Sequence, residues 1–147
     1  MMSKVETMQG KFEGNKFYFP VRVYYEDTDA GGIVYYANYL KFAERARTEY
    51  VRAIGLRQQD ALEQEEKAAF VVRHCDIDYK SPAVLDDLLT VVCEVTEFGG
   101  ASVVMHQDIM RGDDVLVSVD IKVVYVLLKN KRPSRLPAEL VKSFKGE

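Results

Sequence analysis

The sequence predicts an α+β fold in which an antiparallel sheet of five strands wraps one long central helix. Two observations carry this reading. Apolar residues recur at helical steps of three and four from Leu40 through Ala43, Ala46, Tyr50 and Val51 to Ile54. From Ala68 onward the pattern changes to period two, in successive segments separated by turn residues. A single long helix ahead of a meander of strands buries its apolar stripe only if the sheet wraps it. Ala43 and Ala46 fit, because small residues let a sheet approach a helix closely. With 147 residues the chain is read as one domain spanning 1–147, long enough to bury a core.

In chain order, residues 1–16 are polar and irregular and read as a loose tail. Phe17 to Tyr25 alternates, with Phe17, Phe19, Val21, Val23 and Tyr25 on one face and Tyr18, Arg22 and Tyr24 on the other. This is the first strand, and Pro20 places its start at a sheet edge. The helix ends at Gly55, since glycine accepts the left-handed conformation that closes many helices. Residues 57–67 are helix formers with few apolar anchors and suggest a short exposed helix.

Phe70–Tyr79 is then a strand ended by Ser81-Pro82, and Asp86-Asp87 a turn. Leu88–Phe98 follows, with Val91, Cys93 and Val95 on one face. Gly99-Gly100 is a hairpin signal, Ala101–Met110 pairs back, and Gly112-Asp113-Asp114 turns again. Val115–Leu128 is the longest strand, with Val115, Val117, Val119, Ile121, Val123 and Tyr125 on one face. Lys129–Glu147 is basic, and its last part, 138–147, reads as a second flexible tail. No internal repeat or linker interrupts the chain.

Composition excludes several function classes. The net charge of -3 argues against a general nucleic-acid binder. No apolar run approaches a membrane span, and the first residues lack the apolar centre of a signal peptide. Cys75 and Cys93 have neither a disulfide framework nor a metal spacing. The expected setting is the reducing cytoplasm.

The informative stretch is Tyr24–Gly55. It joins an acid-and-glycine segment, Glu26-Asp27-Thr28-Asp29-Ala30-Gly31-Gly32, to a short aromatic run, Ile33-Val34-Tyr35-Tyr36, and then to the helix. The first turn of a helix offers unpaired N–H donors and partial positive charge, which hold developing negative charge on a ligand. A carboxylate beside such donors supplies a nucleophile or a base for acyl transfer. Gly31 and Gly32 let the backbone turn tightly and approach a substrate. An aspartate in a glycine-rich loop is as a rule a turn residue, and composition alone favours that reading for Asp27 and Asp29.

The run Asp27–Tyr39, DTDAGGIVYYANY, with Phe42–Tyr50, FAERARTEY, resembles the hotdog-fold acyl-CoA thioesterases. It is most similar to the bacterial branch associated with the Tol-Pal envelope system, and next to the 4-hydroxybenzoyl-CoA thioesterases. The likeness continues through Ala69–Arg73, Asp78-Tyr79 and Pro82–Asp87, from about Phe19 to Pro137. It implies a five-stranded hotdog domain that forms a homodimer with a continuous sheet, pairs again into a homotetramer, and carries active sites at the subunit interface.

The resemblance also implies acyl-CoA hydrolysis to free acid and coenzyme A. The family's catalytic carboxylate falls on Asp29, with substrate-binding positions at Gly32, Val34, Tyr35, Tyr36 and Asn38. Backbone N–H groups around Val34–Tyr36 would hold the oxyanion. Where the Tol-Pal-associated branch usually has histidine this chain has Tyr36, as the hydroxybenzoyl branch does. Asp29 either attacks the thioester carbonyl or deprotonates water. A thiolate leaves readily, so no cofactor and no metal is expected.

Asp27 is expected to shape the loop by bonding backbone N–H groups. Tyr36 either meets the substrate or packs at the helix start. Glu44 either positions water or pairs with Arg47 or Lys41. His74 and His106 lie within strands and read as surface or packing residues. Neither cysteine sits at a helix N-terminus that would activate it, and no serine sits in a G-x-S-x-G elbow.

Coenzyme A phosphates call for Arg or Lys. The candidates are Arg73, Lys80, Lys131 and Arg132, with other cations of the basic segment, which equally suits a solvated surface. The alternative function is a non-catalytic module that binds acyl-CoA or acyl carrier protein in envelope lipid metabolism. An intact Asp29 favours catalysis. A hotdog dehydratase would need a loop histidine, and the loop has none.

Overall fold

The computed structural model describes residues 10–55 and 67–146. Its elements are β1 (Lys11–Glu13), β2 (Lys16–Arg22), a 3-10 turn (Tyr25–Asp27), α1 (Asn38–Ala53), β3 (Ala68–Tyr79), β4 (Leu88–Phe98), β5 (Ser102–Arg111), β6 (Asp114–Leu127), β7 (Arg132–Pro133) and α2 (Ala138–Phe144). One antiparallel sheet runs in the order β1-β2-β4-β5-β6-β3, with β7 paired to β6. The five expected strands are all present, and two short ones extend the sheet to seven.

Helix α1 lies on the concave face and buries Tyr39, Phe42, Ala43, Ala46, Tyr50 and Val51 against Phe17, Leu89, Val91, Ile109 and Val119. Ala43 and Ala46 are fully buried, which lets the sheet close on the helix backbone. Gly55 ends the helix at φ +93°, its N–H donating to the Arg52 carbonyl. A β-carbon is strained at that φ, which is why glycine closes the helix.

Several expectations change. Leu40 is not core: it is exposed, while Tyr39 and Phe42 take the inward positions. Strand β2 stops at Arg22, so Tyr25 enters the 3-10 turn and projects into solvent. Pro20 does fall where β2 has β4 alone as neighbour, since β1 covers only Lys16–Tyr18.

In β6, strict alternation fails at its start. Met110 pairs with Val115 and Ile109 with Val117, so Leu116 is an inserted bulge residue, buried at 1% exposure. The bulge turns Val115 out of the face it would share with Val117. The Leu116 carbonyl accepts N–H bonds from Lys80 and Ser81, which pins the exit of β3.

The loose-tail readings do not hold over the described residues. Lys11–Glu13 pairs with Lys16–Tyr18 as a hairpin. Residues 138–144 form α2, where Leu140 and Phe144 join Leu136, Tyr125, Val103 and Phe70 in a second apolar cluster. The Phe144 ring stacks on Tyr50 of α1 at 6.0 Å. Residues 1–9, and all of the short helix expected at 57–67 except Lys67, lie outside the described residues. No described helix is long and apolar enough to cross a membrane.

Candidate active site

The loop between β2 and α1 is built by its own acids. Asp27 is buried, its Oδ2 accepts the Tyr24 N–H at 2.8 Å, and its carbonyl accepts Tyr35 N–H and Asn38 Nδ2, each at 2.9 Å. Asp27 therefore shapes the loop, as its position suggested. Asn38, expected to bind substrate, gives one of its two side-chain N–H groups to that same carbonyl.

Asp29 is exposed at the tip. Its Oδ1 accepts the Gly31 N–H at 2.8 Å, its N–H donates to the Ile33 carbonyl, and its carbonyl accepts the Gly32 N–H. Gly32 sits at φ +81°, which this tight return requires. The stem closes by the Thr28–Val34 bridge. Asp29 Oδ2 makes no hydrogen bond among the described residues.

The aromatic run docks on the β3–β4 connection. Val34 N–H donates to the Ala83 carbonyl at 2.9 Å, and Ile33 bridges to Val84. The buried Ala83 N–H in turn donates to the Tyr39 hydroxyl at 2.9 Å. Burial raises the Tyr39 phenol above its ordinary value. Tyr79 donates its hydroxyl to the Tyr36 carbonyl at 3.1 Å.

These bonds narrow the donor set. Val34 and Tyr35 N–H groups are spent on Ala83 and Asp27, so the expected donors at 34–36 reduce to Tyr36. No acceptor among the described residues meets the Tyr36 N–H, which stands just before α1. Tyr36 lines a cleft of about 300 Å³ together with Ile33, Tyr39, Tyr79, Lys80 and Pro82. The ring of Tyr36 is 62% exposed and meets Tyr35 and Tyr79 edge-on or tilted.

Within the one chain the phosphate candidates stand apart. Lys80 lines the cleft, and Arg73 is exposed in the β3 bulge between Val72 and His74. Lys131 and Arg132 sit by Leu127, whereas Lys80 follows Tyr79, which pairs with Val117. Those ends of β6 are roughly 33 Å apart at the usual rise per strand residue.

Glu44 accepts the Thr48 hydroxyl at 3.5 Å. Its charge acts on Arg47, partly offsetting the lowering of the Arg47 pKa by burial, without an ion pair to Lys41 or Arg47 among the described residues. His106 lies on the outer sheet face, held by Asp120 at 2.8 Å and Asp108 at 2.9 Å. Cys93 is buried, and burial pushes its thiol up to about 12, so it is inert. Among the described residues no group of three or more His, Cys, Asp or Glu side chains is placed to hold a metal ion.

The sequence reading missed Tyr39 and Tyr79 as supports of this site. Their partners lie 44 and 43 positions away, so no local spacing signals them.

The family model described as thioesterase superfamily matches residues 31–118, and these include the aromatic run, the free Tyr36 N–H, α1 and strands β3 to β5. The chain belongs to the thioesterase superfamily. Within it, the chain is 51% identical over 130 residues to the acyl-CoA thioesterase YbgC of Haemophilus influenzae, covering 88% of this chain and 95% of that one. It is 45% identical to the acyl-CoA thioester hydrolase YbgC of Escherichia coli, over 88% of this chain and 96% of that protein. A probable thioesterase from Bartonella henselae, 38% identical, superposes with a TM-score of 0.79 over 82% of this chain and 98% of that one. The wrapped-helix architecture is thus the hotdog fold of the thioesterase superfamily.

Proposed function

We propose that the chain hydrolyses acyl-CoA thioesters to free acid and coenzyme A, with Asp29 and the Tyr36 N–H as the reacting pair. The observation that carries the reading is the unspent N–H of Tyr36, a residue lining an apolar cleft, in a chain half identical to an acyl-CoA thioesterase. The thioester carbonyl oxygen accepts this N–H, whose bond strengthens as negative charge develops. Asp29, held through Oδ1 by Gly31, presents Oδ2 to the carbonyl carbon or to a water. The C–S bond then breaks, and the thiolate leaves with little need of an acid because its pKa is about 8.5. If Asp29 attacked, water then cleaves the acyl-Asp29 anhydride; if water attacked, Asp29 holds its proton, so either route ends in the free acid. No step calls for a metal or cofactor. The same reading gives Gly32, Tyr35 and Tyr36 the substrate-facing surface, while Val34 and Asn38 hold the loop.

Assembly belongs to this reading too. Strand β3 is one edge of the sheet, and Val71 and Val72 stand exposed on it. A long apolar edge requires cover, and a second copy paired along β3 supplies it as a homodimer.

The test is release of free thiol from short, long and 4-hydroxybenzoyl acyl-CoAs by wild type and Asp29→Asn. Turnover should fall roughly 10²–10⁴-fold in the variant, with fold and oligomer size unchanged. An Asp29→Asn protein as active as wild type removes Asp29 from the mechanism, and no turnover on any member removes the activity.

A further inference from the structure

The β3–β4 connection, residues 80–87, is fastened at both ends to the β5–β6 hairpin. At its start the Lys80 and Ser81 N–H groups donate to the Leu116 carbonyl at 2.8 and 3.0 Å. At its end Asp87 Oδ2 accepts Arg111 Nη1 at 2.8 Å, and Arg111 is the last residue of β5. The connection in turn fastens both ends of the loop that carries Asp29. Val23, just past β2, donates its N–H to the Asp87 carbonyl at 2.9 Å and accepts the Asp86 N–H at 3.1 Å. The returning side of the loop, Ile33 and Val34, meets Val84 and the Ala83 carbonyl. Root and return of the Asp29 loop therefore rest on one short turn, residues 83–87.

Asp87 closes that turn. The Oδ2 that accepts Arg111 also accepts the Val84 N–H at 2.9 Å, while the Asp87 N–H donates to the Val84 carbonyl at 3.1 Å. One carboxylate oxygen thus joins the turn to the end of β5. Its neighbour Asp86 sits at φ +70°, and Arg22 Nη1 holds the Asp86 carbonyl at 2.8 Å. Backbone of that kind persists where its surroundings over-determine it. The Asp87 and Arg111 side chains keep 17% and 41% of their surface. An ion pair this open to water contributes little to stability, but charge-assisted bonds are short and fix geometry.

Burial raises the Asp87 pKa, yet the Val84 N–H and Arg111 outweigh it and hold the carboxyl below its ordinary value. The pair is also felt at the site. Beside the larger effect of burial, Asp87 raises and Arg111 lowers the pKa of Tyr39, whose hydroxyl accepts the Ala83 N–H.

Resting on the acyl-CoA thioesterase reading, we infer that Asp87, held by Arg111, is a positioning residue for the hydrolysis. It sets the turn that fixes Asp29 and the Tyr36 N–H relative to one another, and it acts through Ala83 and Val84 rather than on the substrate.

The test compares kcat and KM of wild type, Asp87→Asn, Arg111→Gln and the double variant on the acyl-CoA that wild type hydrolyses fastest. Asp87→Asn keeps an oxygen for the Val84 N–H and removes the charge. Each single change should lower kcat about tenfold, less than the roughly 10²-fold cost of a misplacement of about 1 Å. KM should stay within about twofold. The double variant should lose no more than the worse single, because both break one link. Tm should stay within about 4 °C of wild type, whereas a pair that served stability alone would lower Tm and leave kcat. Amide exchange at Val34, followed by NMR, reads the turn without turnover and should quicken at least about tenfold in both singles. Unchanged kcat in both singles, losses that multiply in the double variant, or Val34 exchange as slow as in wild type overturns the inference. If Asp87→Asn fails to fold, kcat and Val34 exchange in Arg111→Gln, a change on a partly exposed side chain, decide. Failure of the thioesterase reading shows separately, as wild type without turnover, and Val34 exchange still tests the turn.

Discussion

Replacing Tyr39 by Phe tests whether the bonded chain from Tyr39 through Ala83 to Val34 holds the site. The ring is 2% exposed and packs edge-on against Phe42 and Tyr79, contacts that Phe keeps. The change removes one atom, the hydroxyl oxygen that accepts the Ala83 N–H at 2.9 Å. Ala83 has no exposed surface, so its N–H is left buried and unpaired. Such a group costs about 1–3 kcal/mol. At about 2 kcal/mol, and about 2–4 °C per kcal/mol for a chain near this size, Tm should fall by roughly 4–8 °C. Because the Tyr39 phenol is raised by burial, it stays neutral through ordinary assay pH, and the loss should not depend on pH there.

The same variant should reach the chemistry. Ala83 holds Val34 through its carbonyl, and Tyr36 follows two residues on. A displaced Tyr36 N–H should lower kcat by about tenfold, less than the roughly 2.7–4 kcal/mol lost when an oxyanion donor is deleted. Thermal unfolding and free-thiol release read the two effects. Tyr79→Phe is the control: its hydroxyl is partly exposed, so water replaces the bond to Tyr36 and Tm should change little. A Tyr39→Phe protein within 1 °C of wild type, on the order of the smallest shift a scan resolves, refutes the buried-donor argument. A lowered Tm with unchanged kcat refutes the link to Tyr36.

Leu116→Ala should cost about 2–5 kcal/mol, because the bulge side chain is buried and its carbonyl anchors Lys80 and Ser81. Urea unfolding measures this, and a loss below about 1 kcal/mol would mean the site collapses around the smaller residue. For His106, burial alone would lower the pKa, but the carboxylates of Asp120 and Asp108 bond the ring and the net shift is upward from 6.5. A pKa raised in the folded state stabilises fully below the unfolded value and is lost as pH rises through the folded one. Wild-type Tm should therefore fall above pH 6.5 relative to His106→Asn, and parallel Tm–pH curves would contradict the pairing.

The parts of this fold legible in the sequence are those whose cause is local. Strand β4 is bounded at Leu88 and Phe98 as its alternation and flanking turns indicate, and Gly55 closes α1 because only its own φ is at issue. Leu116 escaped because a bulge shifts the phase of alternation by one residue, and the pairing with β5 that creates it is not written in β6. Leu40 has the right period but lies at the margin of the stripe, where Tyr39 and Phe42 supply larger inward area. Helix α2 did carry a signal, Leu140 and Phe144 four apart, outweighed by the lysines between and after them.

The site divides the same way. The turn at Asp29 was legible because an Asp-x-Gly-Gly return constrains its own backbone, whereas the availability of each N–H at 34–36 depends on which carbonyl lies opposite. Asp27 and Ala83 decide that, and Ala83 arrives from the far side of β3. Cationic candidates were the least legible of all. A lysine's charge says what it binds but not where it stands, and Lys80 reaches the cleft only because β3 ends at Tyr79 and the Leu116 bulge turns the chain there. The bulge that alternation missed is thus what brings a cation to the aromatic cleft.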